Sequence, residues 1–222
     1  MDTKEKNFED MITDYLCSAE GGYIKGDPKN FNRASALDTA TLLNFIKTTQ
    51  PKEFEKLSAR ITENVDEYFI KKFCAKLNEK DFTILDALRE PFEIRGCKFR
   101  LVCWKPETNI NSDAVELYKK NILTCVRQLH YSTKNENTLD VVLFVNGLPL
   151  VTMELKNQLT GQTFENAIEQ YKKDRDPHEK IFQFGKRALV HFTVDLCEVA
   201  MTTKLEGKRT FFMPLQRTYK KS

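Results

Sequence analysis

The sequence is short of several things, and each absence excludes something. No apolar run approaches the ~18 residues of a membrane span. The opening stretch, "MDTKEKNFED", is charged and has none of the apolar region of a secretory signal. The six cysteines, at 17, 74, 97, 103, 125 and 197, form no C-x-x-C pair, and none of the three histidines stands at zinc-like spacing from them. That argues against a zinc ribbon or a disulfide scaffold, and for free thiols in a reducing, cytoplasmic setting. There is no G-x-x-x-x-G-K-[ST], the loop that cradles nucleotide phosphates; "GGYIKGDPK" does not fit it. Internal repeats and low-complexity tracts are absent. Net charge is small: 35 Lys and Arg against 32 Asp and Glu give +3, which neither demands nor forbids a polyanionic partner. From Glu154 onward 13 basic residues face 9 acidic ones, so what bias exists lies in the last third.

What is present is material for one substantial core. The 222 residues are 41% hydrophobic and include 16 Phe. Phe8, Met11, Ile12, Tyr15 and Leu16 repeat at helical spacing, and Gly21-Gly22 ends that run. Residues 36–48 predict a second helix, 52–79 a helix-rich stretch and 81–89 a short helix closed by Pro91. Then the period changes. "CKFRLVCW" (97–104) alternates like a strand, and 112–120 reads as a helix capped by Ser112. Residues 121–132 return to strand character. Residues 139–145 and 149–155 predict two strands joined across Asn146-Gly147, a strong hairpin signal. Phe164, Ala167, Ile168 and Tyr171 mark a helix over 163–174, and three strands close the chain. The expected fold is α/β (α+β): a mixed central sheet flanked by helices, with 1–90 helix-rich, 91–215 sheet-centred, and 216–222 the start of a linker.

The hairpin carries the chemistry. Asp140 opens one apolar strand; Glu154 and Lys156, two apart and on one face, close the next, giving D-x13-E-x-K. Two carboxylates at a hairpin's open end form a hard oxygen site suited to Mg²⁺. A lysine beside them can meet charge building on a phosphate. Metal-assisted phosphodiester hydrolysis needs this set of parts. The spacing alone also fits a solvated strand end with a salt bridge. Register is the check. A plain two-residue turn pairs Asp140 with Met153 and sends Asp140 and Glu154 to opposite faces. Convergence needs one extra residue, either a three-residue loop with Gly147 as a bulge or a bulge within a strand. Gly147 is expected at positive φ, and the connection is expected not to be a simple two-residue turn.

"LDVVLFVNGLPLVTMELKN", followed by "TGQTFENAIEQYKKDRDP" and "LVHFTVDLCEVAMTTKL", resembles the N-terminal nuclease domain of the R (motor) subunit of type I restriction–modification enzymes. "SALDTATLLNFIKTTQP" fits the same family, and the resemblance covers nearly the whole chain. It implies a PD-(D/E)xK restriction-endonuclease fold that cuts double-stranded DNA with Mg²⁺. Asp140 and Glu154 would carry the metal, and Lys156 would be the catalytic lysine. Leu139 stands where the motif often has proline. The Q-x-x-x-Y element of some members is matched only loosely, by Gln170 beside Tyr171. The family also implies modification and specificity subunits as partners, with sequence choice left to the latter. It implies ATP for motor domains that these residues do not contain, so the chain is expected to end near a domain boundary.

Further residues enter as candidates. Glu9, on the edge of the first helix's apolar stripe, could bring a third acid to the metal. Lys172, Lys173 and Arg175, in "KKDR", could meet DNA phosphates, as could "GKR" (185–187) and "EGKR" (206–209). With so small a net charge, DNA binding by this piece alone is expected to be weak and salt-sensitive. His191 and Gln128 read as hydrogen-bonded strand residues. The second functional class is a docking module of a DNA-processing assembly, with a nuclease fold but little activity alone.

Overall fold

The structure, a computed structural model, describes residues 3–108, 110–157 and 163–217. The end of the expected linker, 218–222, lies outside them. In chain order the helices are α1 (Thr3–Leu16), α2 (Thr39–Thr49), α3 (Pro51–Ser58), α4 (Val65–Asn78), α5 (Ile84–Arg89), α6 (Ser112–Lys119) and α7 (Phe164–Lys173). The strands are β1 (Ile24–Lys25), β2 (Phe31–Asn32), β3 (Leu37–Asp38), β4 (Phe92–Ile94), β5 (Cys97–Phe99) and β6 (Leu123–His130). They continue as β7 (Thr138–Val145), β8 (Leu148–Leu155), β9 (Val190–Val194), β10 (Glu198–Thr202) and β11 (Met213–Arg217). A seven-stranded mixed sheet runs in the order β1-β6-β7-β8-β9-β10-β11. Its β1–β6 and β8–β9 pairs are parallel and the others antiparallel. This is the expected mixed sheet with flanking helices. None of the described helices is long and apolar enough to cross a membrane.

Three apolar clusters hold the layers together. Helices α2 to α5 pack with the β4–β5 hairpin around Phe45, Phe69, Phe73 and Phe99. Phe164 and Tyr171 of α7 join Leu139, Val142 and Phe144 of β7. Phe8 of α1 covers Val141, Leu143 and Leu155. The site's two central strands are therefore buried from both sides, which is why they read as nearly continuous hydrocarbon.

Three local expectations are corrected. The helix over 36–48 starts at Thr39, because the Asp38 carboxylate accepts from the Thr41 N–H at 2.9 Å and caps it. The cap of α6 is Asn111 rather than Ser112: its side chain accepts from Ala114 N–H at 3.1 Å. The strand over 97–104 shrinks to Cys97–Phe99, paired with β4 away from the main sheet. Beyond it, side-chain amides replace a neighbouring strand. Gln50 bonds both backbone groups of Arg100, and Asn121 both of Cys103.

The β7–β8 hairpin settles the register. Asn146 and Gly147 have φ of +50° and +82°, as a two-residue type I′ turn requires, and Val145 pairs with Leu148. Gly147 is at positive φ as expected, but the connection is a simple two-residue turn, contrary to expectation. The extra residue lies inside β8. Phe144 pairs with Pro149, yet Leu143 pairs with Val151, so Leu150 is a bulge. Proline cannot donate to a ladder and is tolerated at such a place. Past the bulge Val141 pairs with Met153, and one step further Asp140 stands opposite Glu154.

Candidate functional site

Opposite residues on neighbouring strands share a face, so the bulge brings Asp140 and Glu154 to one side at the hairpin's open end. Asp140 is half-buried. Its Oδ2 accepts from the Leu155 N–H at 2.8 Å and its Oδ1 from the Gln128 side-chain amide at 3.3 Å. Glu154 is fully buried, and its Oε2 has no hydrogen-bond partner. Burial, and after it the charge of Asp140, pushes the Glu154 carboxyl up to about 8, against the pull of Arg175 and Lys156. Lys156 continues the strand pairing, its N–H donating to the Val194 carbonyl at 2.9 Å, and is 9% exposed.

Arg175 does not stand at the surface. Its side chain is 3% exposed and lies against Glu154, with Nε and Nη2 donating to Oε1 at 2.9 and 2.6 Å. Nη2 also donates to the Thr138 carbonyl at 2.7 Å, and the guanidinium lies over the Tyr131 ring. Buried in this way it cannot meet a DNA phosphate, and that expectation is corrected. Of its neighbours, Lys172 is half-buried and Lys173 is exposed and paired with Glu169 at 2.6 Å.

Glu9 reaches the same end of the sheet from α1 but arrives with both oxygens engaged. Oε1 accepts from Arg127, and Oε2 accepts from Gln128 Nε2 at 2.9 Å. The Gln128 amide nitrogen thus bridges the carboxylates of Glu9 and Asp140, while its Oε1 accepts from the Thr138 hydroxyl at 3.2 Å. Gln128 lies opposite Asp140 in the β6–β7 register and holds φ of +47°, a costly conformation for a residue with a Cβ. Among the described residues no three His, Cys, Asp or Glu side chains form a ready-made metal cluster.

Tyr171 is brought beneath the site rather than into it. It is fully buried, and its hydroxyl bonds Thr152 Oγ1 at 2.7 Å. Burial raises its pKa well above the usual tyrosine value. Thr152 also meets His191 Nδ1 at 2.8 Å. Gln170 is half-buried on the flank of α7.

The family profile described as "Type I restriction enzyme R protein N terminus" matches residues 5–210. The chain belongs to that family. It is also similar to a protein of Methanocaldococcus jannaschii named "Putative type I restriction enzyme MjaVIIIP endonuclease subunit". The two are 26% identical over 151 residues, 66% of this chain and 14% of that protein, so the chain spans only that small share of its relative's length.

In this R protein N-terminal domain, the sequence places one residue of the site wrongly, Arg175, and gives no sign of another, Gln128. Arg175 follows Ala167 and Tyr171 at i+8 and i+4, so it continues the buried stripe of α7 past the helix end; the polar run "KKDR" masked that signal. Gln128 gave no signal, because a left-handed glutamine inside a strand cannot be read from residue types.

His191 is 1% exposed, and burial lowers its pKa from 6.5 to about 4. The fold therefore holds the neutral ring. The stability this carries is complete above pH 6.5 and is lost as pH falls through about 4. The loss amounts to about 3 kcal/mol at ~1.4 kcal/mol per unit. Urea unfolding of the wild type and His191→Asn between pH 4 and 7 should show a shallower pH dependence in the variant. Parallel curves would refute the assignment.

Proposed function

We propose that this domain is the Mg²⁺-dependent nuclease part of a type I restriction R subunit, hydrolysing phosphodiester bonds of unmodified foreign double-stranded DNA. One observation carries the reading: a buried carboxylate oxygen, Glu154 Oε2, stands without a hydrogen-bond partner beside a second carboxylate and a lysine. Such an atom is expensive to bury unless something binds it. The donor set fits a hard cation. Mg²⁺ is commonly held by one or two carboxylates, with water and substrate phosphate completing its shell, so the absence of a three-residue cluster among the described residues is no obstacle.

Asp140 and Glu154 would hold the ion. When bound, it supplies Lewis-acid polarisation of the phosphate and a more acidic water. The chain's own residues do the rest. The Leu155 N–H and the Gln128 amide fix the Asp140 carboxylate. Lys156 places a positive charge next to Glu154, where it offsets negative charge growing on the phosphate. Glu9 supports Asp140 through Gln128, and its ion pair with Arg127 already offsets its charge, which makes it a second-rank ligand. Lys172 remains a candidate for phosphate contact, and Lys173 becomes one on leaving its surface pair with Glu169. Modification and specificity subunits are the proposed partners, and ATP serves motor domains outside these residues. The docking-module reading gives the bare Glu154 oxygen no purpose.

The test is cation uptake. Mn²⁺ or Mg²⁺ at a hundredfold excess over its dissociation constant should stabilise the domain by about 2.7 kcal/mol. Asp140→Asn should remove that gain while leaving the metal-free melting temperature near that of the wild type. Equal stabilisation of both proteins, or of neither, would end the proposal.

A further inference from the structure

We propose that Arg175 is a positioning residue: it clamps one oxygen of Glu154 so that the other is presented, bare, to the cation. The inference rests on the nuclease reading above and goes beyond it by assigning a role to a residue outside the D-x13-E-x-K set. An arginine fork ordinarily grips both oxygens of a carboxylate. Here Nε and Nη2 both donate to Oε1, at 2.9 and 2.6 Å, and Oε2 is left buried and unbonded. The guanidinium is itself fixed from three other directions. Nη2 donates to the Thr138 carbonyl at 2.7 Å, Nη1 meets the Tyr131 hydroxyl at 3.5 Å, and the ring of Tyr131 lies 5.5 Å from the guanidinium carbon. These anchors lie on β7, two residues before Asp140, and just past the end of β6. Arg175 therefore ties Glu154 of β8 to the strand that carries the other carboxylate.

Stability is a poor explanation for this arrangement. A buried ion pair seldom outweighs its desolvation cost, and apolar residues of similar volume often do as well. Direct contact with substrate would require the guanidinium to give up Glu154, Thr138 and Tyr131, which engage its donors. Orientation is what the geometry delivers. A free Glu154 side chain could turn either oxygen away, whereas the clamped one cannot. Lysine does not substitute, because a single ammonium lacks the planar fork that grips Oε1 and Thr138 together.

The experiment compares wild type, Arg175→Lys and Asp140→Asn. Mn²⁺ affinity is measured by calorimetry on the 222-residue chain, stability by urea unfolding, and plasmid cleavage in the assembled enzyme across Mg²⁺ concentrations. Arg175→Lys should remain folded and bind Mn²⁺ at least tenfold more weakly. It should lose cleavage at low Mg²⁺ and regain it when Mg²⁺ is raised by the same factor. A merely structural loss would not be repaired by Mg²⁺. Wild-type Mn²⁺ affinity in Arg175→Lys would overturn the inference and leave the nuclease reading standing. Failure of Arg175→Lys to fold would make the residue a structural post and would also overturn it. If wild type and Asp140→Asn bind Mn²⁺ alike, the nuclease reading fails first and takes this inference with it.

Discussion

On the nuclease function proposed above, Asp140→Ala and Lys156→Ala should each abolish DNA cleavage by the assembled enzyme while ATP hydrolysis continues. Asp140 stands opposite Glu154 at the open end of a buried hairpin, and the Lys156 charge is felt at Glu154. Removing one preorganised electrostatic group typically costs on the order of 10²–10³ in rate. Losing a metal ligand can cost more, because the Lewis acid goes with it. The fold should survive. Asp140 is only half-buried, and the hydrogen bonds lost to the Leu155 N–H and the Gln128 amide contribute about 1 kcal/mol each. Its removal also relieves Glu154 of a neighbouring negative charge. The readout is linearisation of a plasmid carrying the target site, with phosphate release followed in the same tube. Near-normal cutting by either variant would favour the docking module. Loss of both activities would signal an assembly defect.

Gly147→Ala should be among the most destabilising single substitutions in the domain. A Cβ there would lie 2.2 Å from the Asp38 carbonyl oxygen and 2.8 Å from the Leu42 nitrogen. Both are backbone atoms, so no side-chain rotation relieves the overlap. The residue also holds φ of +82°, and its carbonyl accepts from the Asp38 N–H at 2.9 Å, locking the turn to the start of α2. Overpacking costs roughly 1–3 kcal/mol and the left-handed backbone roughly 1–2 more. The sum, about 2–5 kcal/mol, lowers the melting temperature of a domain this size by about 10 °C. Gly22→Ala separates the two contributions, since Gly22 has φ of +75° but nothing within 4 Å of its Cβ position. Thermal melts of both variants decide it. If Gly147→Ala loses no more than Gly22→Ala, the tight turn-to-helix contact is not what holds the hairpin.

Much of this was legible from residue order. The apolar runs of β6, β7 and β8, the Asn-Gly turn and the stripe of α7 are strong local signals, and they coincide with the most buried elements. The pairing of Asp140 with Glu154 was legible only as a requirement. Nothing in the pattern said where the extra residue would fall, although Pro149 inside a strand was a usable hint. The strand expected over 97–104 failed because alternation cannot tell a neighbouring strand from a side-chain amide. Arg175 escapes the pattern because a charged run reads as surface, although its position relative to Tyr171 puts it inside. The link from Glu9 through Gln128 to Asp140 depends on a tertiary approach and one unusual φ, and neither leaves a trace in composition.

The bulge at Leu150 makes the site depend on a count rather than on an identity. Side chains alternate with a period of two, so what places Glu154 beside Asp140 is whether the number of residues separating them is odd or even. Substitutions within β8 leave that parity alone, however severe they are. Loss or gain of one residue between the turn and Glu154 reverses it and turns every later side chain of the strand to the other face. A change of two restores the face but moves the carboxylate about 7 Å along the strand. The face that Glu154 occupies is therefore set by length rather than by residue type. Sequence comparison by identity alone would score a one-residue gap here as a minor event, although it separates a paired carboxylate site from none.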